Sequence, residues 1–228
     1  MDFEILIDDD SVAHRAAAVI AADARGAAAA RGVFNMAVSG GHTPWVMLRA
    51  LAGEQVPWEK VHVFQVDERI APAGDPDRNL THLRETLLKY APLKPEQIHA
   101  MPVELPDPQQ AAAAYARTLE QVIGTPPVLD IAHLGMGPDG HTASLVPGDP
   151  VLNVSDRDVA LTDVYMGRKR MTLTYPLINR SRRILWLITG AEKQPAFKRF
   201  RDGDISIPSG RIRREQALVI ADRAAAGQ

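Results

Sequence analysis

The chain has 228 residues, 46% hydrophobic and 24% charged, which is enough apolar material to pack one sizeable domain over 1–228. A net charge of -2, from 26 Lys and Arg against 28 Asp and Glu, gives no general basic field for nucleic acid, and the absence of cysteine excludes disulfides and thiolate metal sites. With no apolar run long enough to span a bilayer and no secretory pattern at Met1-Asp2-Phe3-Glu4, the expectation is a soluble, cytoplasmic protein without membrane partners.

Phe3–Ile7 reads as a first strand, closed by Asp8-Asp9-Asp10. Ser11 is the expected N-cap of an alanine-rich scaffold helix over Val12–Ala30. Val33–Val38 is the next strand and runs straight into Ser39-Gly40-Gly41-His42-Thr43-Pro44. There Thr43 can cap a helix and Pro44 suits its first position. A glycine-rich turn at a helix N-terminus offers free N–H groups and a favourable dipole to an anion, with the Ser39 and Thr43 hydroxyls as further donors. The same pattern also fits an ordinary strand-to-helix turn.

Val61–Val66 is a third strand, ending in Asp67-Glu68-Arg69. Three charges after a buried strand are more often a solvated turn than a site. In a parallel sheet, however, they fall at the edge that carries the glycine loop, which singles out Asp67 and Arg69. A Pro-, Gly- and Asp-rich loop over 71–77 follows, and Arg78-Asn79 open a helix through Leu88. Ile98–Met101 forms a short strand, and Pro106-Asp107-Pro108 introduces a helix from Gln109 to about Val122. The apolar run Val128–Leu134 is a buried strand, stopped by the glycines and proline of Gly135-Met136-Gly137-Pro138-Asp139-Gly140-His141.

Beyond this turn, Val159–Val164 and Met171–Thr174 are strand candidates on either side of the basic cluster Arg168-Lys169-Arg170, and Pro176–Asn179 is a helical turn. Ile184–Thr189 is a strongly apolar strand leading into a helix that runs to Phe200. Lys193 falls in that helix's first turn, where a cation opposes the dipole unless an anion is near. Ala217–Ala221 is the last strand, with a frayed tail after it. Strands alternating with helices predict an α/β fold, a mainly parallel sheet covered on both faces.

Asp139 and His141 stand two residues apart at a strand's carboxyl end, where open α/β sheets bind ligands. A neutral imidazole can take a proton from water near pH 7, and a carboxylate can orient the ring. Neighbours on a turn need not touch, so the orienting acid is Asp139 or Asp67. Gly135-Met136-Gly137-Pro138-Asp139-Gly140 also matches a dinucleotide-binding loop. Against that, Pro147 closes any following helix early, Asp139 would repel a pyrophosphate, and the loop lies past mid-chain. Ser39 lacks the glycine two residues earlier that a nucleophile elbow needs, since that position is Ala37. His42, His62, His133 and His141 show no metal-ligand spacing. The expectation is therefore no cofactor and no metal.

The set Ser39 to Pro44, Asp67-Glu68-Arg69, Gly135 to Pro147, Arg170 to Asn179 and Thr189 to Lys193 resembles the 6-phosphogluconolactonases, over nearly the whole chain. That family shares a superfamily with glucosamine-6-phosphate deaminase. The resemblance implies a three-layer α/β/α sandwich with a Rossmann-like sheet, and hydrolysis of 6-phosphogluconolactone to 6-phosphogluconate without a metal. It implies His141 as general base, with Asp139 or Asp67 steadying the ring. It implies Ser39, Gly40, Gly41, Thr43, Arg69, Arg170 and Lys193 as the side that holds the substrate's phosphate. The deaminases carry a glutamate where this chain has Val146, and the lactonases carry arginine at the place of Arg69. The family usually has Ser-Asn where this chain has Arg78-Asn79. The expected assembly is a monomer or weak homodimer acting on a small sugar phosphate.

Overall fold

The alternating segments form ten strands in a computed structural model that describes residues 1–228. They are β1 (Asp2–Leu6), β2 (Phe34–Val38), β3 (Val61–Gln65), β4 (Asp67–Arg69), β5 (Ile98–His99), β6 (Ile131–Gly135), β7 (Val159–Leu161), β8 (Arg170–Leu173), β9 (Arg183–Ile188) and β10 (Ala217–Asp222). Seven make one sheet in the order β1-β10-β9-β6-β2-β3-β5, and every pair in it is parallel. The helices are α1 (Asp9–Arg31), α2 (His42–Leu51), α3 (Asn79–Leu83), α4 (Pro108–Ile123), α5 (Tyr175–Arg180), α6 (Gln194–Arg201) and α7 (Arg223–Ala226). No helix is long and apolar enough to cross a membrane.

Both faces of the sheet are buried, because side chains alternate along each strand. Met36, Val38, Leu185, Leu187 and Ile220 face one core, shared with Val12, Ile20, Met47 and Leu48 of α1 and α2. Ala37, Leu134, Trp186 and Val219 face the other, with Tyr115 of α4, Leu177 of α5, and Phe197 and Phe200 of α6. The three-layer α/β/α expectation therefore holds. From β2 the chain steps outward to β3 and β5; from β6 it steps the opposite way, to β9 and β10. The reversal lies between the neighbours β2 and β6, whose carboxyl ends diverge and leave a crevice.

Several expectations need correction. Asp67-Glu68-Arg69 is a strand rather than a solvated turn. It pairs antiparallel with β8, which pairs with β7, in a small sheet that no hydrophobic alternation announced. Asp8, not Ser11, caps α1: its extended backbone points the carboxylate at Ser11 N, 2.8 Å away. Helix α2 begins at His42 behind Gly41, whose φ of 125° only glycine adopts readily. Thr43 is therefore inside the helix and does not cap it. The tail is a short helix, α7, because Asp222 accepts a hydrogen bond from Ala225 N at 2.7 Å.

Candidate active site

The turn after β6 closes on itself. Gly140 N donates to Gly137 O at 2.9 Å, and Gly137 N donates to His141 O at 2.9 Å. Gly140 sits at φ 83°, and a side chain there would also meet Ile207. Gly137 is needed for a different reason: a Cβ would overlap Nδ1 and Cε1 of the His141 ring, which lies directly against the backbone.

His141 Nδ1 stands 2.6 Å from Asp139 Oδ1, which also accepts from His141 N at 3.1 Å. A proton on Nδ1 shared with this carboxylate leaves Nε2 with the free lone pair. The second carboxylate oxygen accepts from the Tyr165 hydroxyl at 3.1 Å. Burial would raise the Asp139 carboxyl. The bond from the His141 ring, that ring's charge, the His141 N–H and Tyr165 outweigh it and hold Asp139 well below the usual carboxylate range. Asp67 is buried and engaged elsewhere. Its Oδ2 accepts from Ser144 Oγ at 2.6 Å and its Oδ1 from Asn79 Nδ2 at 3.2 Å. Of the two acids open at sequence level, Asp139 is thus the one that orients the imidazole, and Asp67 faces the cleft.

Facing these acids is a cationic wall. Register pairs Arg69 of β4 with Arg170 of β8. The Arg69 guanidinium donates to Asp77 O and to Asn79 Oδ1, while its Nε is buried without a partner. Arg170 Nε is likewise buried and unpartnered, and burial and the nearby Arg69 push the Arg170 guanidinium below its ordinary value. Two arginines crowded together with unused donors fit an anion. Lys193, just ahead of α6, reaches the same cleft with its amine 3.3 Å from Glu192 Oε1.

The glycine loop supplies a third wall. Gly40 packs so closely on Asn79 that a Cβ would overlap the Asn79 amide oxygen. Thr43 Oγ1 and Thr189 Oγ1 are 2.7 Å apart. Ser39 differs from expectation: its hydroxyl donates to His133 O at 3.1 Å and its N–H to His133 Nδ1 at 3.2 Å. It braces the loop against β6, and its hydroxyl proton is not offered to a ligand.

Together these walls enclose about 300 Å³, lined by Ser39, Gly40, Gly41, Thr43, Asp67, Arg69, His141, Arg170 and Lys193. Asp139 stands behind His141. Sequence reasoning missed Asn79 and Thr189, which also line the cleft, and Tyr165 and Ser144, which hold the two acids. Asn79 had a signal, as the polar residue opening a helix behind the Asp67 strand. Ser144 lies inside the stretch Gly135 to Pro147 that carries the resemblance, but its partner 77 residues away was not readable; Tyr165 had no signal, its partner lying 26 residues away.

Residues 7–220 match the family model described as glucosamine-6-phosphate isomerases/6-phosphogluconolactonase. A 6-phosphogluconolactonase of Synechocystis sp. is 39% identical over 85% of this chain and 82% of its own length. One of Nostoc sp. is 35% identical over 98% and 96%. Among solved structures, the 6-phosphogluconolactonase of Thermotoga maritima superposes with a TM-score of 0.87 at 27% identity, covering 97% of this chain and 98% of that one.

Proposed function

This chain belongs to the glucosamine-6-phosphate isomerase/6-phosphogluconolactonase family, and from that membership we propose that it hydrolyses 6-phospho-D-glucono-1,5-lactone to 6-phosphogluconate in the oxidative pentose phosphate pathway. The observation that carries the reading is the imidazole of His141, held by Asp139 and facing a wall of Arg69, Arg170 and Lys193.

In this reading His141 Nε2 takes a proton from water while the water oxygen bonds to the lactone carbonyl carbon. The carbonyl π pair moves onto its oxygen, and backbone N–H groups or a cationic side chain stabilise that oxyanion. As the carbonyl re-forms, the bond to the ring oxygen breaks, and the imidazolium returns its proton to that oxygen. Asp139 holds the ring throughout. Arg69, Arg170, Lys193, Thr43 and the Gly40-Gly41 backbone grip the 6-phosphate, which fixes the carbonyl beside the base. No step calls for a metal or cofactor. Val146, buried and apolar where the deaminases carry glutamate, supports hydrolysis over isomerisation. We further read the protein as one cytoplasmic α/β domain, a monomer or weak homodimer without nucleic-acid or membrane partners.

Rates on freshly made lactone, corrected for its spontaneous hydrolysis, test this. His141→Ala is expected to lower kcat about 10²–10⁴-fold with KM nearly unchanged, whereas Lys193→Ala raises KM. Equal turnover in wild type and His141→Ala removes the base from the scheme. Ammonia release from glucosamine 6-phosphate would favour the deaminase reading instead.

A further inference from the structure

We propose that Tyr165 is a positioning residue for the base: its hydroxyl, 3.5 Å from His141 Nδ1, holds the Asp139 oxygen that His141 leaves free, and its ring carries Arg170, so base and cationic wall are held by one side chain. The proposal rests on the lactonase reading above.

Tyr165 lies on the hairpin joining β7 to β8. Tyr165 N donates to Arg168 O at 3.0 Å and Arg168 N donates to Tyr165 O at 3.3 Å, around Met166 and Gly167 at φ 50° and 79°. Two central residues at positive φ make the tight hairpin turn that matches strand twist. The hairpin is also tied down. Arg168 donates through Nε to Asp77 Oδ2 and through its terminal nitrogen to Asp75 Oδ2, both at 2.9 Å, which locks it to the loop before α3. The phenol therefore arrives at Asp139 on a braced element.

Both His141 bonds to Asp139 use Oδ1, and Tyr165 donates to Oδ2. A half-exposed carboxylate held at one oxygen is free to rotate about its last torsion; held at both, it is not. Burial and the neighbouring Asp139 raise the phenol's pKa, so it stays a donor through neutral pH. The Tyr165 ring meets the His141 ring edge-on, with centroids 5.5 Å apart, and the Arg170 guanidinium carbon lies 4.9 Å from the Tyr165 centroid. The hydroxyl thus serves the base, while the ring touches both the base and the cationic wall.

Kinetics of the full chain separate the two. Tyr165→Phe is expected to lower kcat about tenfold, the loss of one charge-assisted hydrogen bond, with KM within about twofold. Tyr165→Leu lowers kcat similarly and raises KM several-fold as Arg170 loses its platform. In an Asp139→Asn background, Tyr165→Phe should add less than about twofold, because the charged carboxylate it served is gone. The His141 Nδ1 proton resonance, read without substrate, should exchange faster with solvent in Tyr165→Phe than in wild type. A Tyr165→Phe enzyme with wild-type kcat and exchange overturns the proposal, as do losses that multiply fully with Asp139→Asn. If melting shows a variant unfolded, rapid exchange of that proton in the wild type overturns it alone. A folded wild type that leaves the lactone untouched counts against the lactonase reading, while the resonance still tests the contact.

Discussion

A single missing methyl group sets the geometry of the His141 imidazole. His141 lies against the backbone at Gly137, where any Cβ would overlap its ring and crowd Asp139 Oδ1, which holds the ring at Nδ1. The imidazole cannot retreat without giving up its carboxylate. Gly137→Ala is therefore expected to fold normally and to lose about 10²-fold or more in kcat, since displacement of a catalytic group by about 1 Å costs that much. A crystal structure of the variant should show the ring displaced and the Asp139 contact lengthened. Wild-type turnover in Gly137→Ala would mean the ring has room that the structure does not give it.

At the scale of elements, the departure at Arg78 acquires a reason. Glu68 is fully buried in β4 and accepts from Arg69 N, Asn79 N and Leu80 N, each at 2.8 Å, and from Gln65 Nε2 at 2.9 Å. It caps α3 from another element, because Arg78 at the cap position has no oxygen to offer. Arg78 is buried as well, with Nε 3.5 Å from Glu68 and one terminal nitrogen, Nη1, on Glu104. A cationic residue where the family usually has serine is thus accommodated by two acids. The same Glu68 sets the spacing of Asp67, Arg69 and Asn79 along the cleft. Glu68→Gln leaves Arg78 short of a counter-charge and turns an amide donor toward backbone N–H groups. The expected cost is about 2–4 kcal/mol, read from the urea midpoint, with a raised KM as the Arg69 wall loosens.

Across the whole molecule, stability should fall in acid for a reason unconnected with the cleft carboxylates. His133 is wholly buried in the central strand β6, and burial pushes its pKa down to about 3. Its Nδ1 accepts from Ser39 N, while Nε2 has no partner. His99 on the edge strand is lowered to about 4 by burial and by His62. Both remain neutral in the fold, whereas the unfolded chain protonates them below about pH 6.5. The unfolded state then binds more protons, so stability rises with pH between the folded values and about 6.5 and is lost on acidification. His133 can contribute up to about 1.4 kcal/mol per pH unit across that window. Melting temperature is expected to drop between pH 7 and pH 5, and His133→Gln should flatten the slope. A pH-independent melting temperature over that range would show that His133 is hydrated.

The parallel sheet, the order of its helices, the glycine loop and the Asp139-Gly140-His141 turn were all legible in the sequence. Their signals are local: apolar runs, glycines that end strands, and charges placed just beyond them. Whatever depends on distant residues meeting was not. The small antiparallel sheet that makes Arg69 and Arg170 neighbours, the choice of Asp139 over Asp67 as the imidazole's partner, and the Tyr165 and Ser144 hydroxyls that fix the two acids come from packing. A hydrogen bond is decided within tenths of an ångström, and chain neighbours specify only the turns they make themselves. The polar groups of the cleft are written along the chain; which of them touch is decided where β2 and β6 part and the loops from both sides close over the gap.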